Sequence, residues 1–226
     1  MAKGWSAGYE ELQQKIVYRT HNIARRIGIL GGTFNPIHLG HMDIAWKALH
    51  ALGLERVGLL TNSDPPHKQE GMAAAEHRLE MVRLAVRGYP GLEAWDYEAN
   101  RPGKVYTIDT LELLNKAMAH EDIEWVYILG ADAFLDLFTW KSAEEVIRLC
   151  SFAVFCRPGV EIDEVEDWAH QLRTQWDAQV QVLPHMGPDI SSDWIRAGLC
   201  GGRNMDAWLP AGVGGYIRTH GLYTQC

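Results

Sequence analysis

The sequence has no apolar run approaching the ~20 residues that cross a bilayer. Its opening, Met-Ala-Lys-Gly-Trp, leads into polar chain without the apolar core of a signal peptide. Membrane insertion and secretion are therefore not expected, and a cytoplasmic location is. Cysteine is scarce: Cys150, Cys156, Cys200 and Cys226 form no CxxC pair, and a chain of this length folds without disulfides, so reduced thiols are the simplest reading. Positive charge is also short. Lys and Arg number 21 against 29 Asp and Glu, a net charge of -8, so the general surface should repel nucleic acid and anionic lipid. Any phosphate-bearing ligand must then be held by a local site. Walker A and GxGxxG patterns are absent, which disfavours a P-loop ATPase, a kinase and a Rossmann dehydrogenase.

What is present is an ample core. The 226 residues are 47% hydrophobic, enough for one generous domain with small appendages. Residues 1–26 are mixed and polar, with a weak helical pattern around Tyr9 to Tyr18, and read as an N-terminal extension without assigned chemistry. From Ile27 to the end, residues 27–226 read as one domain. Ile27-Gly28-Ile29-Leu30 predicts a strand entering a Gly-rich turn, and Ile44, Ala45, Ala48, Leu49 and Leu52 then recur at helical spacing before Gly53.

The alternation continues. Strands are predicted at Val57 to Leu60, Leu92 to Trp95, Trp125 to Leu129 and Phe152 to Phe155. Helices are predicted near Ala75 to Val86 and from about Thr107 to Ala119, and from about Pro184 the chain reads as short helices. Strands separated by amphipathic helices imply crossover connections, hence an α/β fold with an open, doubly wound parallel sheet and a small helical C-terminal part. Ligands on such sheets bind beyond the carboxyl ends of the strands, so chemistry is expected just after Leu30, Leu60 and Leu129.

The strongest local signal stands there. Gly31-Gly32-Thr33-Phe34-Asn35-Pro36-Ile37-His38-Leu39-Gly40-His41 joins the first strand to the first long helix. Glycines let backbone N–H groups approach an anion, and the helix start adds partial positive charge, which suits a nucleotide phosphate. His38 and His41, three residues apart, can point to one side. An ordinary tight turn and a solvated helix start, or half a metal site, are the alternatives. A zinc site needs further ligands close by, and only His67 offers itself, so no metal site is assigned.

This stretch resembles the nucleotidylyltransferase superfamily, marked by a Gly-Gly loop and an HxGH motif. Three further segments resemble the bacterial nicotinate mononucleotide adenylyltransferases: Pro65-Pro66-His67-Lys68, Tyr106-Thr107-Ile108-Asp109-Thr110-Leu111, and Gly130-Ala131-Asp132 with Trp140 beyond it. The resemblance covers about residues 27–223. It implies that Gly31, Gly32, Thr33 and Phe34 receive the phosphates of ATP while His38 and His41 stabilise charge on the α-phosphate. It further implies that Gly130 and Asp132 receive the adenosine ribose. On the acceptor side it implies His67 and Lys68 near the mononucleotide phosphate, Tyr106, Thr107 and Asp109 beside the nucleotide, and Trp140 stacked on the pyridine, a use to which a flat ring is suited.

Late in the chain, Ile190-Ser191-Ser192-Asp193-Trp194-Ile195-Arg196 resembles the family's ISSTxIR segment, so Ser191 and Ser192 are expected on the outer phosphates and Arg196 on the leaving pyrophosphate. Asp193 departs from the pattern at the Thr position. A carboxylate there would repel polyphosphate unless turned outward, the orientation expected.

The implied reaction is adenylyl transfer from ATP to nicotinate mononucleotide by direct attack, with Mg2+ accompanying ATP. ATP and the mononucleotide are the expected partners, with neither nucleic acid nor membrane. No sequence feature points to an oligomeric state. The alternatives are transfer to another phosphate acceptor such as phosphopantetheine, and a nucleotide-binding regulator without catalysis.

Overall fold

A computed structural model of the chain describes residues 24–63, 71–101, 103–156, 161–184 and 190–224. The helix expected around Tyr9 to Tyr18 lies outside the described residues, as do His67 and Lys68. Six strands, β1 (Arg25–Gly32), β2 (Arg56–Thr61), β3 (Leu92–Trp95), β4 (Ile123–Gly130), β5 (Ser151–Cys156) and β6 (Val180–Pro184), form one sheet in the order β3-β2-β1-β4-β5-β6. Every neighbouring pair is parallel. The short apolar runs are what such strands require, because helices cover both faces of a parallel sheet.

The helices are α1 (Leu39–Ala51), α2 (Ala75–Ala85), α3 (Thr107–Ala117), α4 (Ala131–Leu135), α5 (Ala143–Leu149), α6 (Ile162–Trp176), α7 (Ser192–Cys200) and α8 (Val213–Thr219). Alternation along the strands divides the core in two. Leu30, Leu59 and Ile128 pack with Met42 and Ala45 of α1, Met81 of α2, Ile195 of α7 and Ile217 of α8. Ile29, Tyr127 and Leu129 turn the other way, onto Leu111 of α3, Phe134 of α4, Val146 of α5 and Leu172 of α6.

This division creates the crevice. The chain leaving β1 enters α1 on one face, whereas the chain leaving β4 enters α4 on the other. The adjacent strands thus part company at their carboxyl ends, the place where doubly wound sheets bind ligands. Register keeps the two ends level, since Leu30 pairs with Ile128 and Gly32 with Thr61 of β2.

The open, doubly wound sheet is as expected, and the short C-terminal helices α7 and α8 also follow the sequence reading. Strand β6 and helices α5 and α6 were not anticipated. Cys150 and Cys156 are buried free thiols. Cys200 is disulfide-bonded, which corrects the expectation of uniformly reduced cysteines.

Candidate active site

The phosphate loop is shaped by two glycines. A Cβ on Gly31 would stand 2.5 Å from the Tyr127 hydroxyl, and one on Gly32 would stand 2.9 Å from the Phe34 ring. Phe34 itself adopts φ +48, a left-handed conformation uncommon for a side chain of its size, and its ring is buried. Thr33 is left exposed at the loop tip.

Beneath the loop lies a buried polar framework. Arg78, on α2, is fully buried, and its guanidinium donates to the carbonyls of Thr33 at 2.6 Å, Asn62 at 2.8 Å and Ala73 at 3.0 Å. The Asn35 side-chain oxygen accepts from the Ala73 backbone N–H at 3.1 Å and from the Tyr223 hydroxyl at 2.7 Å. Buried polar groups are tolerated when every hydrogen bond is supplied, and a network of this kind fixes one loop conformation.

The two histidines come together at the start of α1. His38 is the N-cap residue and almost fully buried, and its ring stacks on that of His41 with centroids 3.7 Å apart. The His38 backbone N–H donates to His41 Nδ1 at 3.3 Å. A backbone amide can only donate, so His41 Nδ1 carries no proton and its Nε2 does. The Phe34 ring braces His41 edge-on at 5.1 Å. The arrangement presents a neutral imidazole donor at a helix N-terminus, beside the Gly31-Gly32 amides, which is chemistry suited to an oxyanion on phosphorus.

Gly130 ends β4 as the N-cap of α4, with open space where a Cβ would be. Asp132 is exposed in the first turn of that helix. On the same side of the crevice, Tyr106 is the N-cap of α3, Thr107 its first residue, and Asp109 accepts from the Tyr106 N–H at 3.4 Å. Lys141 donates to Asp109 at 2.9 Å and so holds that carboxyl below its ordinary range, burial acting weakly against it. The Lys141 and Lys104 ammonium groups lie 4.7 and 5.0 Å from the centre of the Tyr106 ring.

Trp140 is half-buried and meets Tyr127 edge-on at 5.6 Å. Tyr127 also shares a side-chain hydrogen bond with Thr107, and burial above all drives its phenol pKa far above the usual value, so the group is a neutral hydroxyl. One buried tyrosine therefore touches the phosphate loop, the start of α3 and the Trp140 segment.

The second grip forms at α7. Ser191 caps the helix, its Oγ accepting from the Trp194 N–H at 3.2 Å, which is worth about 1 kcal/mol for such a cap. Ser192 donates to the Pro36 carbonyl at 3.0 Å, and Arg196 Nη1 donates to the Asn35 carbonyl at 2.8 Å. Arg196 Nη2 is ion-paired with Asp193. The sequence-predicted hydroxyl and guanidinium thus meet the phosphate loop itself, and Asp193, though exposed, is not turned away from the site as expected but is ion-paired with Arg196.

Sequence reasoning missed Tyr127, Lys141, Arg78 and Tyr223. Lys141 adjoins Trp140 and was within reach of that motif. The others read as strand or helix filler or a terminal residue, and only the fold brings them to the site.

Comparison with known proteins identifies the family of the chain. The chain matches the cytidylyltransferase-like family over residues 29–198. A Symbiobacterium thermophilum protein named "Probable nicotinate-nucleotide adenylyltransferase" is 38% identical over 201 residues, covering 88% of this chain and 96% of the relative. A Gloeobacter violaceus protein of the same name is 39% identical over 203 residues, covering 89% and 97%. The structure of Plasmodium falciparum nicotinic acid mononucleotide adenylyltransferase complexed with NaAD shares the fold, with a TM-score of 0.74 at 18% identity over 88% of this chain and 97% of that one. At these identities, sustained over nearly the whole of each curated relative, the chain belongs to the cytidylyltransferase-like family and, within it, to the nicotinate-nucleotide adenylyltransferases, which are nucleotidyltransferase enzymes.

Proposed function

We propose that this chain joins the phosphate of nicotinate mononucleotide to the adenylyl group of ATP, making nicotinate adenine dinucleotide and pyrophosphate in the route to NAD. The observation that carries the reading is the stacked His38–His41 pair at the start of α1, directly beyond Gly31-Gly32. An oxygen of the mononucleotide phosphate attacks the α-phosphorus and the bond to the β-phosphate oxygen breaks, so pyrophosphate leaves and no enzyme-bound intermediate forms. His41 Nε2–H and the loop amides stabilise the charge that builds on the α-phosphate oxygens, with His38 holding His41 in place, and Arg196 receives the leaving pyrophosphate.

Gly130 and Asp132 take the adenosine ribose, Ser191 and Ser192 the outer phosphates, Tyr106, Thr107 and Asp109 the mononucleotide, and Trp140 the pyridine face. His67 and Lys68 complete the acceptor side. Lys104 and Lys141 add positive potential there, which supports an acidic acceptor over its amide. Among the described residues no group of three or more His, Cys, Asp or Glu side chains converges on one point. The Mg2+ that accompanies ATP would be held by phosphate oxygens and water, the manner in which this ion is commonly bound, and would supply charge neutralisation on the triphosphate. Among the described residues no helix is long and apolar enough to cross a membrane, and the net charge of -8 disfavours a nucleic-acid partner.

The test is pyrophosphate release by the purified chain with ATP, Mg2+ and each of three acceptors. Nicotinate mononucleotide should give the highest kcat/KM. An equal or higher value for nicotinamide mononucleotide would reject the acid preference, and turnover with phosphopantetheine alone would reject the acceptor class.

A further inference from the structure

We propose that Asp193 is a positioning residue for Arg196: a resident counterion that competes with the donor's outer phosphates for the guanidinium and thereby sets the ATP concentration at which the enzyme works. The inference rests on the reading of Arg196 as the pyrophosphate contact. Residues three apart on a helix are neighbours, and Asp193 and Arg196 form an ion pair in the first turns of α7. The two partners are held very differently. The Asp193 side chain is 84% exposed, whereas that of Arg196 is 28% exposed and tied through Nη1 to the Asn35 carbonyl of the phosphate loop.

The pair is therefore asymmetric. Arg196 stays on the loop while the carboxylate can swing into water at little cost, because an exposed ion pair is a weak one. Asp193 also lies in the first turn of α7, where the helix dipole favours an anion. It occupies, as an anion, both features that would attract polyphosphate: the guanidinium and the helix start. The outer phosphates of ATP must displace it, and pyrophosphate must be released against its return. A carboxylate in this position weakens the grip on donor and product alike while leaving the acceptor side untouched.

The experiment is steady-state kinetics of Asp193→Asn and Asp193→Thr beside wild type, alone and combined with Arg196→Gln, with thermal melting on every variant. Removing the competing charge should lower KM for ATP and the inhibition constant of pyrophosphate together, by about two- to fivefold, the range expected for an exposed pair. The change should fall on KM rather than kcat, leave KM for the mononucleotide alone, and disappear in the Arg196→Gln background. An unchanged or raised KM for ATP in both Asp193 variants would overturn the proposal, and so would a fall that persists without Arg196. If Arg196→Gln by itself leaves ATP and pyrophosphate kinetics as they were, the assignment of Arg196 fails instead, a result distinguishable from failure of Asp193 alone.

Discussion

The phosphate loop is backed by buried polar groups joined to the core, whereas the segment proposed to receive the acceptor carries its charged side chains in water. Behind the phosphate loop, Arg78 is fully buried and donates to three backbone carbonyls, while Asn35 and His38 are nearly inaccessible. Around the acceptor, Asp109 and Lys141 form a largely exposed ion pair and Trp140 is half-buried. The difference matches what each side must do. Charge on a pentavalent phosphorus is stabilised best by donors that do not reorganise, and a buried network supplies that rigidity. An acceptor must enter and leave, which favours contacts that cost little to make and break.

The contrast makes its largest prediction for stability. Arg78→Met removes a buried guanidinium that donates to three backbone carbonyls, so it should destabilise the fold by about 3–5 kcal/mol, as buried polar networks do when one member is lost. Urea denaturation of the variant would measure this, and a loss comparable to that of a surface substitution would break the distinction between the two sides.

A smaller effect is expected in catalysis. His41→Ala should lower kcat about a hundredfold, near the lower end of what one charge-stabilising donor contributes, with little change in ATP binding. Turnover close to wild type in a single-turnover assay would remove His41 from the chemistry.

The smallest and most conditional effect concerns a buried carboxyl bonded to α3. Glu98 accepts from the Thr110 hydroxyl at 2.6 Å on α3. Burial raises its pKa above 4.5, the Thr110 bond and Arg101 oppose the rise, and Asp109 adds to it. A carboxyl raised on folding stabilises the protein below its unfolded pKa and loses that contribution as pH rises through the folded value. Glu98→Gln, which keeps a partner for Thr110, should therefore melt higher than wild type at neutral pH, with the advantage disappearing below about pH 4.5. A Tm difference independent of pH would show that ionisation of Glu98 is not the cause.

Much of this site was legible because it is local. Gly31 to His41 combines a strand end, two glycines and a helix start within one stretch, and each feature has its own physical signature. The strands β1, β2, β4 and β5 announced themselves as apolar runs. Helix α6 was not read, since only Val165, Ala169 and Leu172 are buried in a long polar segment that also leaves Ile162 exposed. Strand β6 was lost for a related reason, being a short sheet-edge segment broken by a glutamine. Tyr127 belongs to another class. Its role depends on pairing opposite Ile29 and on the approach of Thr107 and Trp140, relations that exist only once the sheet is formed. Asp193 lay between these cases: its exposure agrees with charge repulsion, but its ion pair with Arg196 departs from the outward turn expected.

The bond from the Tyr223 hydroxyl to the Asn35 side chain spans 188 residues of sequence. A ribosome makes the catalytic loop early and Tyr223 late, so a nascent chain that has already emerged with all six strands still lacks one of the two donors that hold Asn35. The loop between β1 and α1 thus acquires its full set of restraints only after the chain has been made as far as Tyr223, behind all six strands.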